Sequence, residues 1–501
     1  MAQGARTRRL SGRDTPTVPA YPPVGAEPKV VFAGIPKALV AGMHVHMVGI
    51  GGCGMRGAAA VLLRRGVHVS GSDRSVSAEL AGLIESGALV QIGQAKEHVP
   101  EACDLVVRSA AVRDDNPEVV AAREGQCPVI KYSQLLGLLM ADRLGVAIAG
   151  THGKSTTTAM TAFVLRQAGL DPSFVIGANV EQLGGGSGVG DGRHFVVEAC
   201  EFDRSYLNLK PRIAVILNVE EDHLDYYKNL DEIVTSFHDF ATLVPDDGLV
   251  IVNGGNRDAL KAVVGIAAKV ETFGFEGRLN WKAEVLGSQR GCFEFRVLRD
   301  GRPLTVVRLA IPGQHNVANA LAVMAVCIHA GVEPETIAKG LAGFHGASRR
   351  LTWRGCVDGV NVVDDYAHHP TELQVTIKAA REYYSPRKLY VVFQPHQHSR
   401  TRFLLNDFAR SFGAADVVMV PDIYFVRDSE KERDLIDAKD LVERIRSNGG
   451  DARYEPGFDR IVARLCAEVQ SGDLVITMGA GDVWQVADGL LKCLAATRGR
   501  K

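Results

Sequence analysis

An α/β fold in three domains is what this sequence predicts, and two observations predict it. Short apolar runs alternate with helical stretches along nearly the whole chain, the pattern of parallel sheets covered by helices. The 501 residues also exceed what one core organises, so the alternation must divide into units of ordinary domain size.

The first unit opens at His44. HVHMVGI reads as a strand, a glycine loop follows, and Met55–Gly66 reads as a helix closed by glycine. VHVSGSD is a second strand ending at Asp73, and CDLVVRS, ending at Ser109, and PVIKY continue the alternation. Gly49, Gly51, Gly52 and Gly54 fit GxGxxG, with Asp73 beyond them. The physics of that motif is close backbone approach to a diphosphate plus a carboxylate for a ribose hydroxyl. A nicotinamide dinucleotide satisfies it, and so does a UDP-sugar. Hydride transfer therefore stays open at this point.

The second unit carries the strongest local signal. The strand GVAIAG runs into Gly150-Thr151-His152-Gly153-Lys154-Ser155-Thr156 and a helix over Ser155–Ala168. A glycine-lysine loop between strand and helix suits phosphate: backbone N–H groups and the helix dipole hold its oxygens, Lys154 neutralises it, and the Ser155 hydroxyl reaches Mg²⁺. The spacing departs from GxxxxGK[ST], since Gly150 precedes Gly153 by three positions rather than five. FVVE ends at Glu198, and RIAVILNV leads into Glu220-Glu221-Asp222-His223. Ligands of open α/β sheets sit at such strand ends, so Glu198 and His223 join Ser155 as expected metal ligands. Residues 181–193 read as a glycine-rich surface loop, and 265–311 as a small sheet appended to the domain. Gly313-Gln-His315-Asn316-Val-Ala-Asn319 starts the helix Asn316–Ala330 and offers donors to a base or ribose.

Glycine, serine and paired arginines at 343–350 mark a boundary. Beyond it NVVDDYA, KLYVVFQ, DVVMV and DLVITMGAG read as strands of a third α/β unit. Two polar clusters follow strands there, one spanning Asp365, Tyr366, His368, His369 and Glu372, the other His396, Gln397, His398 and Arg400. No cysteine stands near these histidines, so an anion- or carboxylate-binding site is expected rather than zinc.

Composition narrows the partners. With 57 basic and 58 acidic residues the formal charge is -1, which gives no pull toward nucleic acid or acidic membranes. The nine cysteines, at 53, 103, 127, 200, 292, 327, 356, 466 and 493, form no CxxC pair. A reducing compartment fits them better than a disulfide framework. Residues 1–40 hold Arg6, Arg8, Arg9, Arg13 and several prolines without an apolar run. They read as a disordered tail rather than a signal peptide, and no later segment is apolar enough to span a membrane, so a cytoplasmic protein is expected.

In order along the chain, GIGGCGM, GTHGKSTTT, EACEFDRSYL, EEDHLDYY, GQHNVANALA, DDYAHHPTE and FQPHQHSRTR resemble the motifs of the Mur ligases of bacterial peptidoglycan synthesis. The resemblance runs from about His44 to the end and is nearest to the alanine-adding members, with the muropeptide-recycling ligase as the alternative. It departs at Gln397, where those members commonly carry arginine. It implies a UDP-sugar domain over 41–145, a central ATPase over 146–345 and a closing domain over 346–501. It also implies Mg²⁺-dependent use of ATP to join L-alanine to UDP-N-acetylmuramate through an acyl phosphate, in a monomer or weak homodimer. By matching motif, Gly150, Thr151, Gly153, Lys154, Ser155, Thr156, His315, Asn316, Asn319 and Asp365 would serve the nucleotide. Gly49, Gly51, Gly52, Gly54, Asp73, Ser109, Tyr366, His396 and Arg400 would serve the substrates, and Lys154, His223, His368 and Arg400 the chemistry.

Overall fold

The computed structural model describes residues 35–498 apart from 37, 76–77 and 427. The expected tail therefore lies outside the described residues up to residue 34. Leu39, assigned to that tail, is buried in the first core.

Three sheets organise the chain. The first orders its strands Leu89–Ile92, His68–Asp73, His44–Val48, Leu105–Arg108 and Val129–Lys131, all parallel. Leu89–Ile92 escaped the sequence pattern because it is a half-solvated edge, with Leu89 70% exposed.

The second sheet has ten strands. At its centre Leu144–Ala149 lies between His194–Glu198 and Ile213–Ile216, all parallel. Leu144–Ala149 is buried at every position, as a central parallel strand covered on both faces must be. The runs expected to form an appended small sheet instead prolong this one. Lys269–Gly274 pairs parallel with Leu249–Asn253, and Trp281–Gln289, Cys292–Arg299 and Arg302–Arg308 extend the edge as an antiparallel meander. Continuity is favoured because Trp281 and Phe295 are buried in the same core as the central strands. The helices Lys154–Gln167, Gln314–His329 and Pro334–Ala342 cover one face. Gln314–His329 has an apolar run from Ala320 to Cys327 that is buried all round.

The glycine-rich stretch 181–193 is more than a surface loop. Ser187–Gly188 pairs antiparallel with Ser173–Val175 and packs on the helix Cys53–Arg64 of the first unit. A Cβ on Gly57 of that helix would stand 2.5 Å from Ser187 Cβ, so glycine permits the contact.

The third sheet orders Thr352–Val357, Val360–Asp365, Leu474–Met478, Leu389–Phe393, Val417–Val420 and Ala452–Tyr454; only the first pair is antiparallel. Although no disulfide framework was expected, Cys466 and Cys493 are joined, tying the helix Phe458–Glu468 to Trp484–Arg498. No helix among the described residues is long and apolar enough to cross a membrane.

Gly57→Val overpacks the contact between the first and second units, at an expected cost of about 1–3 kcal/mol. Scanning calorimetry should report this as a lower Tm. An unchanged Tm would mean that the helix does not rest on Ser187.

Candidate active site

The loop 150–154 sits at the carboxyl end of Leu144–Ala149 and opens the helix Lys154–Gln167. Gly153 is in the left-handed region (φ +83°), and a Cβ there would come within 2.9 Å of Asn319 Oδ1. Conformation and crowding both require glycine at this position. Gly153 caps the helix without a side chain, so the first N–H groups face outward, as an anion site needs. Thr151 is held by Asn218, whose carbonyl accepts its N–H at 3.0 Å. Ser155 is buried at the helix start and Thr156 lines the adjoining cavity.

Lys154 is half-buried with all three ammonium protons engaged. Nζ donates to Gly150 O at 2.6 Å, Thr151 O at 3.0 Å and Glu201 Oε1 at 2.9 Å. Burial alone would lower its pKa, but the carboxylate of Glu201 outweighs it and holds the group charged.

Glu198 and Asp73 both make local contacts to backbone N–H groups. Glu198 is turned to the backbone, accepting the Gly177 N–H at 2.8 Å. Glu201, which sequence reasoning passed over, also stands beside the loop, as the carboxylate partner of Lys154. His223 Nε2 lies 3.8 Å from Glu201 Oε1 and 3.8 Å from Asp222 Oδ2, and one ligand atom from each of these three residues falls within a common 4.8 Å span. Glu201 Oε2 is buried without a hydrogen-bond partner. A carboxylate oxygen left bare beside an imidazole and a second carboxylate suits a divalent cation, so the donor set fits Mg²⁺. Asp73, expected to reach a ribose, accepts the N–H of its own Gly51 at 2.8 Å. A Cβ on Gly51 would meet that carboxylate at 2.7 Å, so Asp73 accounts for this glycine. Gly49 (φ +80°) abuts Ser109, Gly54 abuts Tyr132, and Gly52 caps the helix Cys53–Arg64.

A cavity of about 600 Å³ lies between the second and third units. Gly153, Thr156, His315, Asn316 and Asn319 line one side; Arg350, Asp365 and Glu372 line the other. Asn319 donates to Asn316 Oδ1, and Asn316 to Pro312 O. Burial pushes His315 down to about 4, leaving a neutral ring. Asp365 spends both oxygens on the N–H groups of Leu351 and Ala367, and burial pushes it up to about 6.

The third unit is fastened to the loop region by charge. Arg400 donates from Nε and Nη2 to Asp222 Oδ1 at 3.1 and 2.6 Å, and both side chains are buried. Desolvation opposes the Asp222 charge, but Arg400 holds its carboxyl well below the usual range. Thr371 donates to Glu220 Oε2 at 2.7 Å, and His152 stands 3.4 Å from both Glu220 and Glu372. Beside Arg400, His396 stacks on Tyr424 with ring centroids 5.5 Å apart. Tyr366 lies under the guanidinium groups of Arg349 and Arg350. His368 Nδ1 is 3.1 Å from Tyr366 O, and burial lowers its pKa to about 4. Gln397 is buried at φ +70° and caps the helix His398–Phe403, its N–H given to Tyr424 O.

Comparison with known proteins matches three successive patterns. They are the Mur ligase family, catalytic domain over residues 44–144, the Mur ligase middle domain over 148–327 and the Mur ligase, glutamate ligase domain over 349–481. A UDP-N-acetylmuramate–L-alanine ligase of Caldanaerobacter subterraneus subsp. tengcongensis is 42% identical over 90% of this chain and 97% of its own. The chain belongs to the Mur ligase family. The enzyme of the same name from Acetivibrio thermocellus is 42% identical over 90% of this chain and 96% of that one. Among solved structures, the UDP-N-acetylmuramate-alanine ligase of Thermotoga maritima superposes with a TM-score of 0.76 at 27% identity, covering 91% of this chain and 100% of that chain. A murein peptide ligase of Psychrobacter arcticus gives 0.67 at 26% identity, over 90% and 99%.

Besides Glu201, sequence reasoning assigned no role to His152, Asn218, Glu220 or Arg350. His152 sits inside the recognised loop, but the charges around it come from two other segments, one of them in the third unit.

Arg400→Ala leaves the Asp222 carboxylate buried and unpaired, at an expected cost of about 3–5 kcal/mol to the docked arrangement. Small-angle scattering should show a larger radius of gyration, with ligation nearly lost. His152 gives a pH signature of the same docking. Burial opposes its charge, but Glu220 and Glu372 raise its pKa from 6.5 to about 9. A raised folded-state pKa contributes stability that is full below the reference value and lost as pH rises through the folded one. Docking should therefore weaken between about pH 7 and 10 by interdomain energy transfer. His152→Gln should flatten that dependence.

Proposed function

We propose that this chain is an ATP-dependent ligase that joins L-alanine to the lactyl carboxylate of UDP-N-acetylmuramate, a step of peptidoglycan synthesis. The observation that carries the reading is the phosphate loop opening into a cavity walled by two units, in a chain 42% identical to alanine ligases over nine-tenths of its length. The first unit, about 41–145, takes the UDP-sugar through its glycine loop; the central unit, about 146–345, takes ATP; the third, about 346–501, closes over both.

The reaction balances in two displacements. A carboxylate oxygen of the sugar's lactyl group attacks the γ-phosphorus, the β–γ bridging P–O bond breaks, and ADP leaves. The alanine amine then attacks the acyl carbon, the C–O bond to phosphate breaks, and phosphate leaves with the amide formed. Lys154 and the free N–H groups at the helix start are aimed where charge develops on the transferred phosphoryl group. A divalent cation held by Ser155, Glu198 and His223 would add neutralising charge there. Asn316, Asn319 and His315 serve the nucleoside. Arg400, with His396 and Tyr366 beside it, receives the amino acid and its carboxylate. His368 donates Nδ1–H to Tyr366 O, leaving Nε2 as the acceptor for the amine proton, and its lowered pKa keeps that acceptor free at neutral pH. Docking of the third unit orients three substrates and keeps water from the acyl phosphate.

Chromatography of the products should find ADP and no AMP. Oxygen-18 placed in the lactyl carboxylate should appear in the released phosphate. AMP with pyrophosphate, or phosphate free of the label, would overturn the mechanism even with the amide confirmed.

A further inference from the structure

The glycine loop of the first unit spends several of its own donors on its frame. Gly49 and Ile50 give their N–H groups to Ser72 O at 2.8 and 3.0 Å, Gly51 gives its own to Asp73 Oδ2 at 2.8 Å, and Gly52 to Gly49 O at 3.3 Å. Amides supply only partial charge, and the Asp73 carboxylate stands against the loop. A diphosphate brought here therefore needs a cation from beside the loop.

Arg56 stands in that place. It lies in the first turn of the helix Cys53–Arg64, half-buried, with Nη1 donating to Gly51 O at 2.5 Å. Among the described residues that is the one hydrogen bond of its side chain, and it forms no ion pair. A guanidinium carries five N–H donors, so most of them are unspent. The arginines at the other end of the helix differ, Arg64 facing Asp191 and Arg65 facing Asp142. The position of Arg56 sharpens the contrast. The helix dipole opposes a cation at an N-terminus, and this one has no acidic residue in its first turn and no side-chain cap. A partly covered cation without a counter-charge is unfavourable there alone and favourable beside an anion. The next residue, Gly57, packs on Ser187 of the second unit. The stem of Arg56 thus starts beside the seam that a substrate must cross between its uridine and its lactyl group.

We propose that Arg56 is a substrate-binding residue whose forked N–H groups take the diphosphate of the UDP-sugar, with Gly51 O holding the guanidinium in place beforehand. The inference rests on the reading of the first unit as the UDP-sugar domain. It adds a full charge to the close backbone approach that the glycine loop provides.

Calorimetry on the full-length protein, with UDP-N-acetylmuramate and separately with β,γ-imido-ATP, measures the contact apart from turnover. In Arg56→Gln the Kd for the UDP-sugar should rise about tenfold or more, because charge-assisted hydrogen bonds are lost, while the Kd for the ATP analogue stays within about twofold. Added NaCl should weaken UDP-sugar binding to wild type more steeply than to the variant. Melting separates this role from a structural one. Removing a cation from a helix N-terminus should leave the ligand-free Tm level or higher, whereas the rise in Tm that the UDP-sugar produces should shrink. A Kd for the UDP-sugar within about twofold of wild type overturns the proposal, as does a lower ligand-free Tm with ATP-analogue binding weakened in step. Arg56→Lys keeps the charge without the fork, so its Kd should stand about threefold above wild type, and a Kd equal to wild type overturns the forked contact. If Arg56→Gln does not fold, Arg56→Lys carries the test by that reading. Wild-type protein that binds no UDP-N-acetylmuramate would instead refute the UDP-sugar reading of the first unit.

Discussion

The buried pair between Arg400 and Asp222 is the constraint on which the site depends. A guanidinium and a carboxylate removed from water are tolerable only together, so the third sheet is either seated against the second or both charges must regain solvent. Seating brings Glu372, Thr371 and His369 to the phosphate loop, and it forms the cavity wall that carries Arg350 and Asp365. None of these residues has a role near the loop when the units are apart. One charge pair thus sets whether the chain has an active site or two separate surfaces.

How legible each part was follows from how local its cause is. The glycine-lysine loop was readable because a buried strand, a left-handed glycine and a helix start all lie within a few residues. The parallel strands were readable where burial on both faces makes them continuously apolar, as in Ile213–Ile216 and Leu474–Met478. Edges were not, since Leu89–Ile92 and Thr352–Val357 hold only exposed and half-buried positions, without a clean period. The meander 281–308 was visible as strands, but its continuity with the central sheet is a matter of register, which no short window of sequence carries.

The site residues divide the same way. Lys154, Ser155, His315 and Arg400 lie in dense local motifs; His315 lines the cavity between the second and third units, and Arg400 reaches across to Asp222. Glu201 lies three residues past Glu198 in the same motif, and its pairing with Lys154 depends on the irregular turn that follows it, with left-handed backbone at Asp203 and Arg204, which no periodicity carries. In the first unit, GxGxxG with a distal aspartate is as common to dinucleotide folds as to this one. Here Gly51 yields to Asp73 itself, so the motif describes how the loop is braced before it describes what the loop binds.

The central strand Leu144–Ala149 has a consequence for how the protein is made. It is flanked by His194–Glu198 and Ile213–Ile216, both of which follow it in sequence. A nascent chain that has emerged only through the phosphate loop therefore carries a fully apolar strand with two open edges. It cannot close the sheet until the ribosome has delivered the Ile213–Ile216 segment. Synthesis order thus imposes an interval in which the central strand of the second sheet is the least protected one. Chaperone occupancy and aggregation during translation should concentrate in that interval, before the loop has anything to bind.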